Sequence, residues 1–234
     1  MLKPLKIAVV YTGMPTSLVN LVESSIKQVL MDRPVTFLSF SAPDIIEDAI
    51  RNGSPSPPAV RRLSALYLHA VQQGAHIVYN ACSSVGDIAD AAKPLFEKME
   101  IPFVRIDEGM ARAAVGEHRT IGVIATLSAT LEPTKRLIRN MAEQEGRNVT
   151  LVDTLAEGAF GVSAQQLEEL LVARALPLSD RVDCFLLAQG SMAGCEKAIS
   201  LATGKPVYSS PRYGALDIQK IVEKLSEEAN YDSL

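Results

Sequence analysis

The sequence predicts an α/β protein of two similar lobes. Each lobe is a parallel sheet flanked by helices, the two are related by a pseudo-two-fold duplication, and a cleft lies between them. Three observations carry this. Short runs rich in Val and Ile alternate with longer stretches of helical periodicity, so strands and helices follow in β-α order. The strand runs are continuously apolar, as strands buried on both faces are. Three segments also recur in the same order: Ile7–Thr12 reads like Ile121–Thr126, Val78–Ser83 like Leu186–Ser191, and Ile101–Val104 like Lys205–Tyr208.

The elements follow in order. Ile7–Val10 is a first strand, and the segment from Met1 that leads into it lacks a signal-peptide cleavage site. Thr16 or Ser17 caps a helix to about Leu30, with Leu18, Leu21, Val22 and Ile26 on one face. Val35–Phe40 is a strand and Ala42–Ile50 a short helix. Residues 52–58 are a Pro- and Ser-rich loop. A helix from Ala59 to Gln73 is closed by Gly74. His76–Tyr79 is a strand, Val85–Met99 a helix, Pro102–Ile106 a strand, and Glu108–Val115 a helix ended by Gly116. The second half repeats the scheme. Its strands are Thr120–Ala125, Thr150–Asp153, Val182–Leu187 and Pro206–Ser209. Its helices are Leu131–Glu143, Ala164–Leu176, Met192–Leu201 and Leu216–Glu228. Lobe one is expected over residues 1–115 plus 208–234, and lobe two over 116–207.

Composition excludes several classes. The chain has 234 residues and 47% hydrophobic residues, ample for a buried core. A net charge of −4 argues against a broad nucleic-acid-binding face, and the absence of Trp disfavours base-stacking platforms. No apolar run approaches the ~20 residues of a membrane-spanning helix. Cys82, Cys184 and Cys195 form no disulfide framework and no zinc spacing, so a reducing cytoplasm is expected. The Asn148-Val149-Thr150 sequon then has no consequence. There is no Walker motif, no Gly-rich dinucleotide fingerprint and no metal-binding pattern. His69, His76 and His118 fall on a helix, a strand start and a loop between elements, none placed like a catalytic histidine after a strand.

In parallel sheets ligands bind beyond the carboxyl ends of the strands. Four loops therefore matter: Tyr11–Pro15, Asn80–Ser84, Ala125–Thr130 and Ala188–Ser191. In the second, Asn80-Ala81-Cys82-Ser83-Ser84 puts a thiol and two hydroxyls at a helix start, where free N–H groups favour an anion. Thr126, Ser128 and Thr130 of the third are either helix caps or a carboxylate cradle. In the fourth, Gly190 admits close backbone approach, Gln189 can hydrogen-bond but cannot act as a base, and Ser191 is either a ligand contact or a helix cap. Thr12 occupies the repeat position of Thr126.

On these residues the chain resembles the aspartate/glutamate/hydantoin racemase superfamily, with its maleate isomerases and arylmalonate decarboxylases. Asn80-Ala81-Cys82-Ser83-Ser84 is similar to the family's Cys followed by Asn, Thr or Ser, and Ile121–Thr130 to its Ala-Thr-x-x-Thr stretch. The resemblance implies two lobes around a substrate carbon held between two cysteines. One thiolate removes the proton next to a carboxylate and the opposite thiol returns one to the other face, with no cofactor. Loop hydroxyls and N–H groups stabilise the developing enediolate, because a thiolate alone is too weak a base. It also implies a homodimer.

The chain departs from that pattern at one place. The second family cysteine belongs near Gln189 or Gly190, and neither is a cysteine. Cys184 starts the preceding strand, and Cys195 lies about one turn into the next helix. Cys82 is therefore the expected acid/base or nucleophile. Thr12, Asn80, Ser83, Ser84, Thr126, Ser128, Thr130, Gln189, Gly190 and Ser191 are expected to bind a small carboxylate substrate. The expected activity is a cofactor-independent racemase- or isomerase-like proton transfer. A single-cysteine lyase and a non-catalytic carboxylate-binding protein are the alternatives.

Overall fold

The computed structural model describes residues 4–13, 16–31 and 33–231. Met1–Lys3, Met14, Pro15, Asp32 and Asp232–Leu234 lie outside the described residues, and with them the end of the Tyr11–Pro15 loop.

The chain builds two four-stranded parallel sheets. The first has strand order β2-β1-β3-β4, from β1 (Leu5–Tyr11), β2 (Val35–Ser41), β3 (Ile77–Asn80) and β4 (Phe103–Arg105). The second has the matching order β6-β5-β7-β8, from β5 (Thr120–Ala125), β6 (Thr150–Leu155), β7 (Cys184–Leu187) and β8 (Val207–Ser209). The duplication read from three short segments thus extends to the whole topology.

Helices α1 (Thr16–Leu30), α2 (Pro43–Asn52), α3 (Pro57–Gln72), α4 (Gly86–Lys98) and α5 (Glu108–Glu117) follow the strands of the first half. Helices α6 (Ser128–Gln144), α7 (Ala164–Ala175), α8 (Glu196–Thr203) and α9 (Ser210–Tyr231) follow those of the second. Each central strand sends alternate residues to opposite faces, as the two-residue period demands. Ile7, Val9 and Tyr11 of β1 pack with Val22, Ile26, Ala215 and Ile218, under α1 and α9. Ala8 and Val10 pack with Ile45, Leu63 and Tyr67, under α2 and α3. Both faces are covered, which is why these strands carry no polar alternation. Burial of each large apolar side chain contributes roughly 1.5–3 kcal/mol.

The last helix of each half crosses to the other sheet. Met110, Ala111, Ala114 and Val115 of α5 pack among Ile121, Val123 and Leu186 of the second sheet. Helix α9 returns to the first sheet, and α5 and α9 lie against each other where the lobes meet. Sequence order alone assigns α5 to the first lobe, but its apolar face serves the core of the second.

Several boundaries differ from the sequence reading for local reasons. The chain tightens into a single-turn 3-10 helix (Ser83–Val85) before α4 and a two-turn one (Gly190–Cys195) before α8, so the Met192–Leu201 helix is two segments. Helix α6 starts at Ser128, earlier than expected, and Pro133 sits inside it. Gly74 does close its helix, at φ +82°. Behind the first cleft loop, Arg105 at the end of β4 is 1% exposed and makes a two-pronged contact to Asp107, 3.0 Å at each nitrogen. It also pairs with Asp90. Burial works against the guanidinium charge, and Asp107, Asp90 and Glu108 more than offset it. The group lies against Gly86, where any side chain would occupy the same space. Asp107→Ala removes one buried partner and is expected to lower stability by about 3 kcal/mol. The check is a lower denaturant midpoint at unchanged slope.

Candidate active site

The strand register fixes which residues face each other. Ile7 pairs with Ile77 in the first sheet, and Ile121 pairs with Cys184 in the second. One step beyond the strands, the Ala81 N–H donates to the Val10 carbonyl (2.9 Å) and the Ala188 N–H to the Ile124 carbonyl (2.9 Å). The next residue is Cys82 in one lobe and Gln189 in the other. Gln189, not Gly190, therefore holds the position equivalent to Cys82.

The equivalence extends to their partners. The Thr12 hydroxyl, just past β1, donates to Cys82 Sγ at 2.7 Å. Gln189 Nε2 donates to the Thr126 hydroxyl, just past β5, at 2.6 Å, and Gln189 Oε1 accepts from the Thr126 N–H at 3.0 Å. A Thr–Cys pair in one lobe thus stands where a Thr–Gln pair stands in the other.

Cys82 is half-buried, and burial pushes its thiol up from the ordinary value. The Thr12 hydroxyl, the N–H groups of Ser84 and Val85, and the Ser84 hydroxyl oppose that rise by stabilising the thiolate. These N–H groups head the turn that runs into α4, so the helix start is aimed at the sulfur. The other two thiols lack such donors. Cys184 is buried at the first residue of β7 and is pushed to about 12, chiefly by burial. Cys195 packs among Leu187, Met192 and Ile199 and is pushed to about 11, again chiefly by burial. Neither lines the cleft.

The cleft itself holds about 110 Å³. Of the expected site residues, Thr12, Cys82, Ser83, Ser84, Gln189, Gly190 and Ser191 line it. Ser83 is 4% exposed, and its hydroxyl has no hydrogen-bond partner among the described residues. Four expected contacts are placed differently. Asn80 is buried below the cleft, where its Nδ2 donates to the Cys82 carbonyl (2.9 Å) and its Oδ1 accepts from the Tyr67 hydroxyl (2.8 Å). It holds the thiol loop in shape. Thr130 is also buried, within hydrogen-bonding distance of the Ser84 hydroxyl (2.6 Å), and so ties α6 to the other lobe's loop. Thr126 is spent on Gln189. Ser128 is exposed as the first residue of α6, and that helix has no side-chain cap. Sequence reasoning missed the apolar part of the lining, namely Leu18, Ile46, Leu127 and Phe160. Leu127 lies within the expected Ala125–Thr130 loop and the other three lie outside the expected loops, and an apolar residue at such places reads as core.

A scan against family models matches residues 15–216 to Asp/Glu/Hydantoin racemase. The chain belongs to the Asp/Glu/hydantoin racemase family. Among solved structures it is similar to glutamate racemase from Francisella tularensis in complex with D-glutamate, with a TM-score of 0.68 at 14% identity over 96% of this chain and 83% of that one. It is also similar to glutamate racemase from Bacillus anthracis (TM-score 0.67, 18% identity, 94% and 82% covered). A third is allantoin racemase from Klebsiella pneumoniae (0.65, 14%, 94% and 88%). These likenesses support the two-lobed fold. No curated protein sequence matches the chain. Among the described residues no helix is long and apolar enough to cross a membrane, and no group of three or more His, Cys, Asp or Glu could hold a metal ion.

Since burial raises the Cys82 thiol, its thiolate fills only as pH climbs past the usual thiol range. Alkylation of Cys82 is expected to speed up with pH and to level off later than in an unfolded peptide. Thr12→Val removes one donor to the thiolate and shifts that profile further up. At neutral pH the rate is expected to fall about tenfold, as for loss of a hydrogen bond of ~1.5 kcal/mol to a charged group. Peptide mapping after timed iodoacetamide treatment measures both.

Proposed function

We propose that this member of the racemase family catalyses cysteine-dependent proton transfer at the carbon next to the carboxylate of a small acid. The reaction is of isomerase type and needs no cofactor. The observation that carries this is the placement of Cys82. It is the thiol that lines the interlobe cleft, and it receives hydrogen bonds from Thr12 and from the N–H groups heading α4. Its thiolate takes the proton, and the electron pair left on carbon moves into the carboxylate as an enediolate. The unpartnered Ser83 hydroxyl and the N–H groups at the start of the Gly190–Cys195 turn are the donors free to hold that charge. The solved neighbours include glutamate and allantoin racemases, so the fold is one that racemases use.

Gln189 shapes the reaction. A carboxamide neither gives nor takes a proton at working pH. Proton transfer therefore runs on the Cys82 face, and a proton reaches the opposite face only through water or a relay by the exposed Ser191. The same residue favours a second reading, decarboxylation. There carbon dioxide leaves, its bonding pair stays on carbon, and the Cys82 thiol protonates that carbon once before the thiolate regains a proton from water.

Incubation in D₂O with a panel of small carboxylates tests the role of Cys82. Deuterium is expected to enter next to the carboxylate with the wild type, and about 10²–10⁴-fold more slowly with Cys82→Ala. Exchange that persists unchanged in the variant overturns the role of Cys82. Release of carbon dioxide with solvent deuterium in the product marks the lyase reading. Ligand-induced thermal stabilisation without exchange or carbon dioxide marks a binding protein.

A further inference from the structure

The cleft lining joins two unlike sets of side chains. Thr12, Ser83, Ser84 and Gln189 are polar. Four others are large and apolar, and two of them lie beside the polar loops, Leu18 against Gly190 and Ile46 against Gly13. Leu18 reaches the cleft from α1, Ile46 from α2, Leu127 from the turn before α6, and Phe160 from the loop after β6. Phe160 is 51% exposed, so a large apolar ring stands partly in water at the cleft. Among the described residues lining the cleft, none carries a charge of either sign. Arg105, behind the Cys82 loop, is buried against Gly86 and committed to Asp107 and Asp90.

These facts restrict the ligand. One anionic group can be met by hydroxyls and helix-start N–H groups, which need no cation. A second carboxylate would meet no cation among the lining residues, four of which are large and apolar, and burying an unpaired charge is strongly unfavourable. An ammonium group has no carboxylate to pair with among the lining residues. The volume of about 110 Å³ is well below the roughly 300–1,000 Å³ of sites for drug-sized ligands, so the substituent is small.

We propose that the cleft selects small monocarboxylates that bear an uncharged, mainly apolar substituent and no ammonium group, and that it rejects acidic amino acids. The proposal rests on the Cys82 cleft being the substrate site, and it names the substrate class of that site. Leu18, Ile46, Leu127 and Phe160 are its specificity-determining residues.

Protection of Cys82 against iodoacetamide, read by peptide mapping of the full chain, tests this without requiring turnover. Three matched probes are compared: isobutyrate, valine and glutamate. Isobutyrate is expected to protect at a concentration at least about tenfold lower than either amino acid, a difference of ~1.4 kcal/mol. Glutamate or valine protecting as well as isobutyrate overturns the substrate class while leaving the site in place. Failure of all three to protect a Cys82 that does react overturns the site itself, and the proposal with it. A second arm uses Phe160→Arg, at an exposed position where folding is not at stake. Placing a cation at the rim is expected to improve protection by glutamate relative to isobutyrate by about tenfold. An unchanged ratio shows that Phe160 does not face the ligand's substituent.

Discussion

The site depends on where the two central strands stop. Between the two central strands of each sheet the last ladder bond is donated by an alanine N–H, from Ala81 to Val10 and from Ala188 to Ile124. One residue later the chain leaves the sheet and turns into a helix. That constraint puts Cys82 and Gln189 at matching levels, each beside a threonine that ends the neighbouring strand. A slip of one residue in either ladder would turn the side chain to the other face of its sheet. The geometry of the cleft is thus a product of strand register, and α5 and α9 pack against each other where the two lobes meet.

Polar chemistry around the sulfur is arranged in depth. Burial alone would leave Cys82 as inert as Cys184 and Cys195, which have no donors directed at them. Cys82 differs because two backbone N–H groups and two hydroxyls converge on it. Behind it, Tyr67 and Asn80 hold the loop carbonyl, and burial keeps the Tyr67 phenol protonated so that it can donate. Farther back, Arg105 and its carboxylates brace the start of α4. Charges are kept in this outer layer and out of the cleft, where only neutral dipoles face the ligand. A cleft built this way offers hydrogen-bond donors to one negative charge and no countercharge to further fixed charges.

Much of this was legible in the sequence. The β-α order, the duplication and the place of Cys82 in the cleft follow from apolar runs and from a thiol placed after a strand. The loop residues split by a physical rule that spacing does not reveal. A hydroxyl near a strand end can face the cleft, as Ser83 does, or be used up inside the protein, as Thr126 and Thr130 are. Similarity between Ser83-Ser84 and the hydroxyl of Ser191 drew the repeat one residue out of register, and only the hydrogen-bond ladder shows that Gln189 matches Cys82. The apolar rim was illegible because Leu18, Ile46 and Phe160 come from separate elements and nothing in their local pattern distinguishes them from core. The same holds for α5, whose amphipathic face shows that it packs but not on which sheet.

The central claim is that one thiol works on one face, opposite a carboxamide that cannot carry a proton. Its most direct test is stereochemical. A single enantiomer of a small acid that exchanges with solvent is incubated in D₂O, and label and configuration are followed together. Deuterium should enter with the starting configuration retained, well ahead of any appearance of the mirror form. Exchange and racemisation proceeding at the same rate would place a second proton-carrying group on the Gln189 side and contradict the account.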